Sequence, residues 1–504
     1  MRRALALAAA VACLGPACAR SAPHGPIVVA ITSSPANLDP GVGIDETSQK
    51  IQQLLFSSLV RIDDALRVVP DLATRFDTTD FQTWVAAIPA GVRFHDGREM
   101  TSADVAYTFR RFLDPDFVSA RKGAYRELER VDVVDRYTVA FRLTAPSASF
   151  PINLVMGIVP DGTGVEAGRR PVGSGPYRLA EFVPDDHVTL APFPEAYLGP
   201  PRNEGLVFKV VPDDTMRGLE LRNRSVDLVV NDLAPDIAWD LRKDPDIQVV
   251  TAPGTDFAYI GLNLRDARLA DVRVRQAIAY AVNREAIVEY LRRGLAEPAT
   301  GIVPPMSWAY AGDVDRFAFD PARARALLDE AGYPDPDGDG PQPRFTLSLK
   351  TSTNEAYRLQ AAVLAEQLAA VGIALDLRSY EFATLFADVV RGNVQLYTLQ
   401  FVGVTDPDML RRVFVSTQTP PTGFNRGHYD NPRVDALIAE ASTALDEARR
   451  AGLYREAQRA IAADVPIVPL WVKTNVVVAQ AGLTGITLSP IADFLFLRNV
   501  TRTR

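Results

Sequence analysis

An α/β fold divided into lobes is predicted by three features of this 504-residue chain. Short β-branched runs alternate with capped helical stretches, the pattern of sheets covered by helices. At roughly 150 residues per domain, the length corresponds to about three domains or one large two-lobed body. Pro/Gly-rich joints punctuate the chain at 171–176 (PVGSGP) and 304–305. Apolar residues make up 47% of it, enough for a substantial core. The formal net charge of −8 argues against a nucleic-acid partner, which calls for a basic face.

The chain opens with MRRALALAAAVACLGPACA. Charged, apolar and small residues follow one another in the order of a secretory signal, expected at 1–18. The apolar run 4–14 is too short for a permanent membrane span, which needs ~20 residues. Both cysteines, Cys13 and Cys18, fall here. With the signal removed, disulfides, thiol nucleophiles and thiolate metal sites are excluded together. Two processing routes stay open. Cys18 is placed as a lipidated first residue, although Gly15 stands where a lipoprotein signal usually has leucine. Ordinary cleavage near 17–19 is the other. Downstream, no uncharged apolar run reaches 18 residues.

Residues 27–32 (IVVAIT) read as a buried strand followed by the turn-rich loop SSPANLDP. Thr101 with Asp104 forms a capping pattern for a helix running to about Leu113. Asp271 caps VRVRQAIAYAVNREAIVEYL, where Val274, Ile278, Ala281, Val288 and Leu291 share one face. Asp320, Pro321 and Gly332 frame PARARALLDEAG, and Asn431 with Pro432 opens PRVDALIAEASTAL. Strands are expected at 137–143, 206–211, 345–349 and 373–377.

Motifs of catalysis are absent. The four histidines, His24, His95, His187 and His428, are scattered, and none makes a metal-binding H-x-x-x-H pair. No G-x-S-x-G elbow, Walker loop or strand-linked G-x-G-x-x-G occurs. The run 335–340 (DPDGDG) spells the start of a calcium loop in Asp335, Asp337, Asp339 and Gly340. Its twelfth place holds Thr346 in place of the bidentate Glu, so it reads as a solvated turn.

Taken together, the motifs resemble the extracytoplasmic solute-binding proteins of ABC importers, family 5 (peptide/nickel binding). SSPANLDP resembles the first strand-to-loop segment of the family. LLFSSLV (54–60) followed by PDLA resembles its next helix. FHDGREMTSADVAYTF resembles its most recognisable block, GSGPYRL its G-T-G-P-Y joint, and YIGLNL with DVRVRQAIAYAVNREAI a further stretch. FDPARARALLDEAGY, GHYDNPRVDALI and LYREAQRAIAADVPIVPL resemble three later blocks in the family's order. In such proteins the FHDG block is scaffold, and His95–Asp96 lacks a nearby nucleophile to complete a triad.

The resemblance implies a periplasmic binding protein-like type II fold: two lobes with an additional small inserted domain and a hinge between the lobes. The expected division is lobe 1 from 27–45, 172–253 and 477–504, the inserted domain from 46–171, and lobe 2 from 254–476. It implies a non-enzymatic, cofactor-free substrate-binding component that captures an oligopeptide-like solute between the lobes and delivers it to permease subunits. Its place is the periplasm or the outer face of the cell membrane, as a monomer whose only membrane contact is a lipid anchor. Strand-like main-chain pairing suits extended peptides. Candidate residues are Ser33, Ser34 and Pro35 after the first strand, Gln400, Phe401 and Gly403 in the strand-like run 399–405, Tyr259 and Asn263 in YIGLN, and Asn425.

One departure stands out. Peptide binders of the family carry an amino-anchoring aspartate three residues before the place of Asp406, and here that place holds Gly403. A buried ammonium without a counter-charge is costly. Either Asp406 substitutes, or the solute lacks a free amine: a blocked or cyclic peptide, a sugar, an opine-like compound or a metal chelate. The nickel branch has no specific support, since His428 is the one histidine in the matched cleft segments. From other classes, a secreted hydrolase would need a clustered nucleophile and base, and a docking role on a sensor stays open.

Overall fold

The computed structural model describes residues 25–338 and 340–503. The expected signal at 1–18, with Cys13 and Cys18, and also His24 and Asp339, lie outside the described residues.

Two long strands organise the body. A first crossing strand, Ile247–Leu262, pairs antiparallel with a second, Ile467–Gln480. They form the middle of an 11-stranded sheet that is effectively two half-sheets. On one side lie Leu228–Val230, Ile27–Ile31, Leu206–Val210, His187–Pro192 and Tyr177–Val183. On the other lie Leu396–Phe401, Phe345–Ser352 and Ile373–Tyr380. The register of the crossing pair shifts between Pro253 and Phe257, so the ladder breaks where the two halves meet. An irregularity of this kind bends a strand locally.

Each half-sheet is covered on both faces. Val29, Leu206 and Phe208 belong to one core of the first half, and Ala30, Val229 and Leu241 to the opposite one. In the second half, Ala258, Ile260 and Leu364 pack on one face and Phe257, Tyr259 and Leu385 on the other. This is the alternation a twice-covered strand requires. A separate core runs from Leu59 to Ile158 around a four-stranded antiparallel sheet, with Phe109 wedged against Tyr125 and Phe141.

Most helix starts follow their caps. Asp271, Asp320 and Asn431 accept N–H bonds from Arg273 (2.9 Å), Arg323 (2.9 Å) and Arg433 (3.0 Å). Thr101 N–H donates to the Asp104 carboxylate at 2.7 Å, and that helix spans Ser102–Arg110. Three expectations need correction. The segment after Asp271 is not one helix. It stops at Ala281, Val282 turns extended, and Asn283 caps a new start by accepting from Ala286 N–H. LLFSSLV is not a helix either: the helix Glu46–Leu55 ends inside it, and Val60 begins a short strand. The strand read across 399–405 ends at Phe401, with Gly403 at a φ of 65°. Thr346 lies inside the strand Phe345–Ser352, so the twelfth place of the calcium-loop pattern is in sheet.

The FHDG block is a strut. His95 N–H donates to Gly173 O (2.7 Å), Gly173 N–H donates to His95 Nδ1 (3.2 Å), and Nε2 faces Gly175 O at 3.2 Å. Gly173 and Gly175 are glycines of necessity: a Cβ there would stand 1.9 Å from Leu55 O and 2.4 Å from Leu54 O. Burial pushes the pKa of His95 from 6.5 down to about 4. Its neutral form supports the fold above pH 6.5, and that support is lost as pH falls towards 4. Relative to His95→Gln, wild type is expected to lose up to about 3 kcal/mol between pH 7 and pH 4 in urea unfolding.

Candidate functional site

Open α/β sheets bind ligands beyond the carboxyl ends of their parallel strands. Ile27–Ile31 runs parallel to Leu206–Val210 and Leu228–Val230, and Phe345–Ser352 runs parallel to Ile373–Tyr380 and Leu396–Phe401. The first set delivers Ser33, Asn231 and Asp232 to its carboxyl edge. The second delivers Tyr357, Phe382 and Val402 to Asp406. The crossing strands join the edges at 254–256 and 473–474, which form the floor of a cleft.

The floor is charged. Lys473 Nζ stands 3.8 Å from Asp256, and Lys50 stands 2.5 Å from Glu46. Burial pushes Lys473 below its usual pKa against the pull of Asp256 and Glu46. Burial pushes Asp232 up, against the charge of Lys50. Such opposed shifts mark a partly desolvated cluster at the joint.

The wall on the second half-sheet is built at the end of Leu396–Phe401. Gly403 N–H donates to Asp256 Oδ1 at 2.9 Å. Gln400 lies beside Tyr357, 3.4 Å from its hydroxyl. Phe401 stacks on Tyr259 with ring centroids 5.0 Å apart, and Arg426 Nη1 donates to Tyr259 Oη at 2.9 Å.

The mouth lies against the four-stranded domain. Ser149 Oγ donates to Asp406 Oδ1 at 2.9 Å, and Arg67 meets Glu447 at 3.1 Å. A cavity of about 490 Å³ opens between 120–153 and 403–422, lined by Arg121, Glu127, Asp406 and Arg412. A second, of about 320 Å³, lies between the four-stranded domain and the first half-sheet, with Gln52, Arg61 and again Arg121 in its wall. Both volumes reach the range of small-molecule sites.

Asp406 is partly buried and also accepts from Asp408 N–H at 2.7 Å. Burial, with the charge of Asp408, raises its pKa from 3.8 to about 6. The protonated form therefore favours the fold, and this support is lost as pH rises from 3.8 through 6. Asp406→Asn is expected to melt above wild type at pH 8, by up to about 3 kcal/mol, with the gap closing towards pH 4.

The anticipated residues divide by position. Gln400, Phe401, Gly403 and Asp406 share one edge of the cleft. Ser33 is exposed on the other edge, Ser34 Oγ accepts from Asp185 N–H at 2.6 Å, and Pro35 is buried. Tyr259 is buried and touches the site through Arg426. Asn263 lies at the far end of its strand, where its amide donates to Val394 O at 2.8 Å. Asn425 is buried, donating to Tyr429 O (2.8 Å) and accepting from Tyr429 N–H (2.9 Å). His428 sits beside Arg265, near Gly392 and Asn263. Sequence reasoning missed Asp256, Lys473 and Arg426. Asp256 lies just three places before Tyr259, yet only the register shift and the loop 402–405 bring it to Gly403. Among the described residues, no group of three or more His, Cys, Asp or Glu is placed to hold a metal ion. No helix among them is long and apolar enough to cross a membrane.

Two bodies joined by a strand pair, with a charged cleft between them and a third domain at its mouth, define a solute receptor of the type II periplasmic binding protein fold. Sequence and structural comparison agree. The sequence profile of the bacterial extracellular solute-binding proteins, family 5 (middle region), matches residues 67–421. The glutathione-binding protein GsiB of Salmonella choleraesuis (strain SC-B67) is 30% identical over 488 residues, covering 93% of each chain. The oligopeptide-binding protein AppA of Bacillus subtilis, solved with a nonapeptide, superposes with a TM-score of 0.76 at 26% identity, covering 95% of this chain and 99% of its own. HbpA2 of Haemophilus parasuis gives 0.84 at 24% identity, over 95% of this chain and the whole of its own. The chain belongs to the bacterial extracellular solute-binding proteins, family 5. It is the solute-binding component of an ABC importer and not an enzyme.

Proposed function

We propose that the solute is a short peptide with a free amino end, held across the cleft and passed on unchanged. The observation that carries this reading is the carboxylate of Asp256, fixed on the Gly403 N–H at the end of a cleft-edge strand. The chain lacks an aspartate at 403, and Asp256 supplies a carboxylate to that place from the crossing strand. An ammonium is thereby offered a partly desolvated counter-charge, while backbone at Ser33 and Val402 offers strand-like pairing. A relative named for glutathione and a related structure holding a nonapeptide support a peptide over a sugar or metal chelate.

Binding works by closure. Ligand touches both half-sheets only in the closed form and stabilises it by its differential affinity, which is what a permease would read. We assign the lobes by their cores. The first holds the half-sheet of Ile27–Ile31 together with the helix Glu46–Leu55, the second the half-sheet of Leu396–Phe401, and the four-stranded domain is the insert. We further place the protein in the periplasm or at the outer face of the membrane as a monomer. It is exported by 1–18, with lipidation at Cys18 as the anchored form.

The test is a thermal-shift screen of tripeptides, sugars and metal chelates, with mass spectrometry of the recovered compound. Peptides are expected to stabilise by about 2.7 kcal/mol at 100 times Kd and to be recovered intact. Stabilisation by sugars or chelates alone, or a chemically altered peptide, overturns the reading.

A further inference from the structure

Among the described residues, four arginines are buried with less than a tenth of their surface exposed: Arg217, Arg275, Arg284 and Arg426. Three are held by two or more carbonyl oxygens each. Arg217 donates to Asp232 O (2.6 Å), Val211 O (2.6 Å) and Pro212 O (2.8 Å). Arg275 holds Leu269 O (2.9 Å), Ala270 O (2.8 Å) and Asp464 O (2.6 Å). Arg284 holds Pro469 O (2.6 Å) and Phe317 O (2.9 Å). These three fasten the scaffold.

Arg426 differs. Its side chain makes a single hydrogen bond, to the Tyr259 hydroxyl, and pairs with no carboxylate of the described residues. Its guanidinium carbon lies 5.2 Å from the ring of Phe386 and 5.3 Å from those of Phe401 and Phe424. Burial pushes the phenols of Tyr259 and Tyr397 above their usual pKa, so they stay neutral and leave the cation uncompensated. A guanidinium carries five N–H donors in a planar fork. The unbonded ones are not among the sealed, partnerless polar atoms of the interior, so they reach solvent, where Phe386 is 38% exposed. A buried cation with open donors and no counter-ion is costly unless something else completes it.

We propose that Arg426 is the carboxylate anchor of the cleft, its open guanidinium edge taking a terminal or side-chain carboxylate of the bound peptide. Its place supports this. Phe401 ends the strand whose next residues reach Asp256 through Gly403, and Phe257 pairs with Phe401 across the ladder. Asp256 lies within electrostatic reach of Tyr357, which belongs to the helix Glu355–Ala369 on one sheet face. Arg426 stands with Phe386, on the helix Phe382–Arg391 over the opposite face. The acid and the base thus flank one strand end and match the two ends of a dipolar solute. The aromatic rings around Arg426 exclude water and strengthen a bidentate pair.

This inference rests on the peptide reading, and the experiment separates the two. Trialanine and glutathione are titrated calorimetrically, each as the free acid and with every carboxylate amidated. The proteins are wild type, Arg426→Gln and Arg426→Lys. Wild type is expected to prefer at least one free acid over its amide by about 30-fold or more, the loss typical of a severed buried charge pair. Arg426→Gln is expected to erase that preference while still binding the amide, which also shows that it is folded. Arg426→Lys, a charge without the fork, restores part of it. Equal affinity for acid and amide in wild type, or a preference that survives in Arg426→Gln, overturns the anchor and leaves the peptide reading standing. If neither form binds while a sugar does, both fall.

Discussion

Replacing Asp256 by Asn is expected to weaken binding of a free-amine tripeptide by about 30-fold to 5000-fold, and to leave the N-acetylated form unaffected. The range follows from the ~2–5 kcal/mol lost when one partner of a buried, hydrogen-bonded charge pair is removed. Asp256 has the position for it. The Gly403 N–H holds one carboxylate oxygen, and Lys473 at 3.8 Å is too long for a hydrogen bond. The carboxylate therefore keeps acceptor capacity towards the cleft. Calorimetric titration of both peptide forms checks it. A loss carried by Asp406→Asn in place of Asp256→Asn would move the amino anchor to Asp406, the substitution the sequence suggests. Equal weakening of the free and acetylated peptides would mean that Asp256 acts on the floor of the cleft and not on the amine.

Asp39→Ala is expected to destabilise the protein by about 3–5 kcal/mol, the cost of leaving a buried charge without its partner. Asp39 is 3% exposed and grips Arg111 through both oxygens, one of them at 3.2 Å from Nη1. It also accepts from Gly41 N–H at 2.8 Å. Arg111 follows the helix Ser102–Arg110 and stacks on Phe117 at 4.3 Å, so the pair ties the first half-sheet's loop to the four-stranded domain. Urea unfolding followed by the fluorescence of Trp84 should show the transition of that domain at lower denaturant. The double variant Asp39→Leu with Arg111→Met should recover much of the loss, because it removes both charges together. Failure to recover would place the cost in the Gly41 loop.

The family resemblance was legible because it rests on contiguous blocks, and the helix starts because caps act within three or four residues. Asp271, Asp320 and Asn431 each bond the first turn of their own helix whatever surrounds them. The break at Val282 was not legible. The apolar period continues through it, while Asn283 N–H donates to Gln367 Oε1 at 3.0 Å on a distant helix. FHDG and GSGP are adjacent in space and 78 residues apart in sequence, so the strut they form is visible only once both are placed.

The sequence by itself determined a mixed α/β body with its joints and helix caps, because periodicity, turn chemistry and capping are written in neighbouring residues, and its contiguous blocks carried the family resemblance. Only the tertiary structure decided which charges and donors meet at the end of the strand Leu396–Phe401. Asp256 meets Gly403 across 147 positions, and Arg426 meets Tyr259 across 167. No local pattern encodes such pairs. They exist because two strands end at one edge, and burial there sets the worth of every charge.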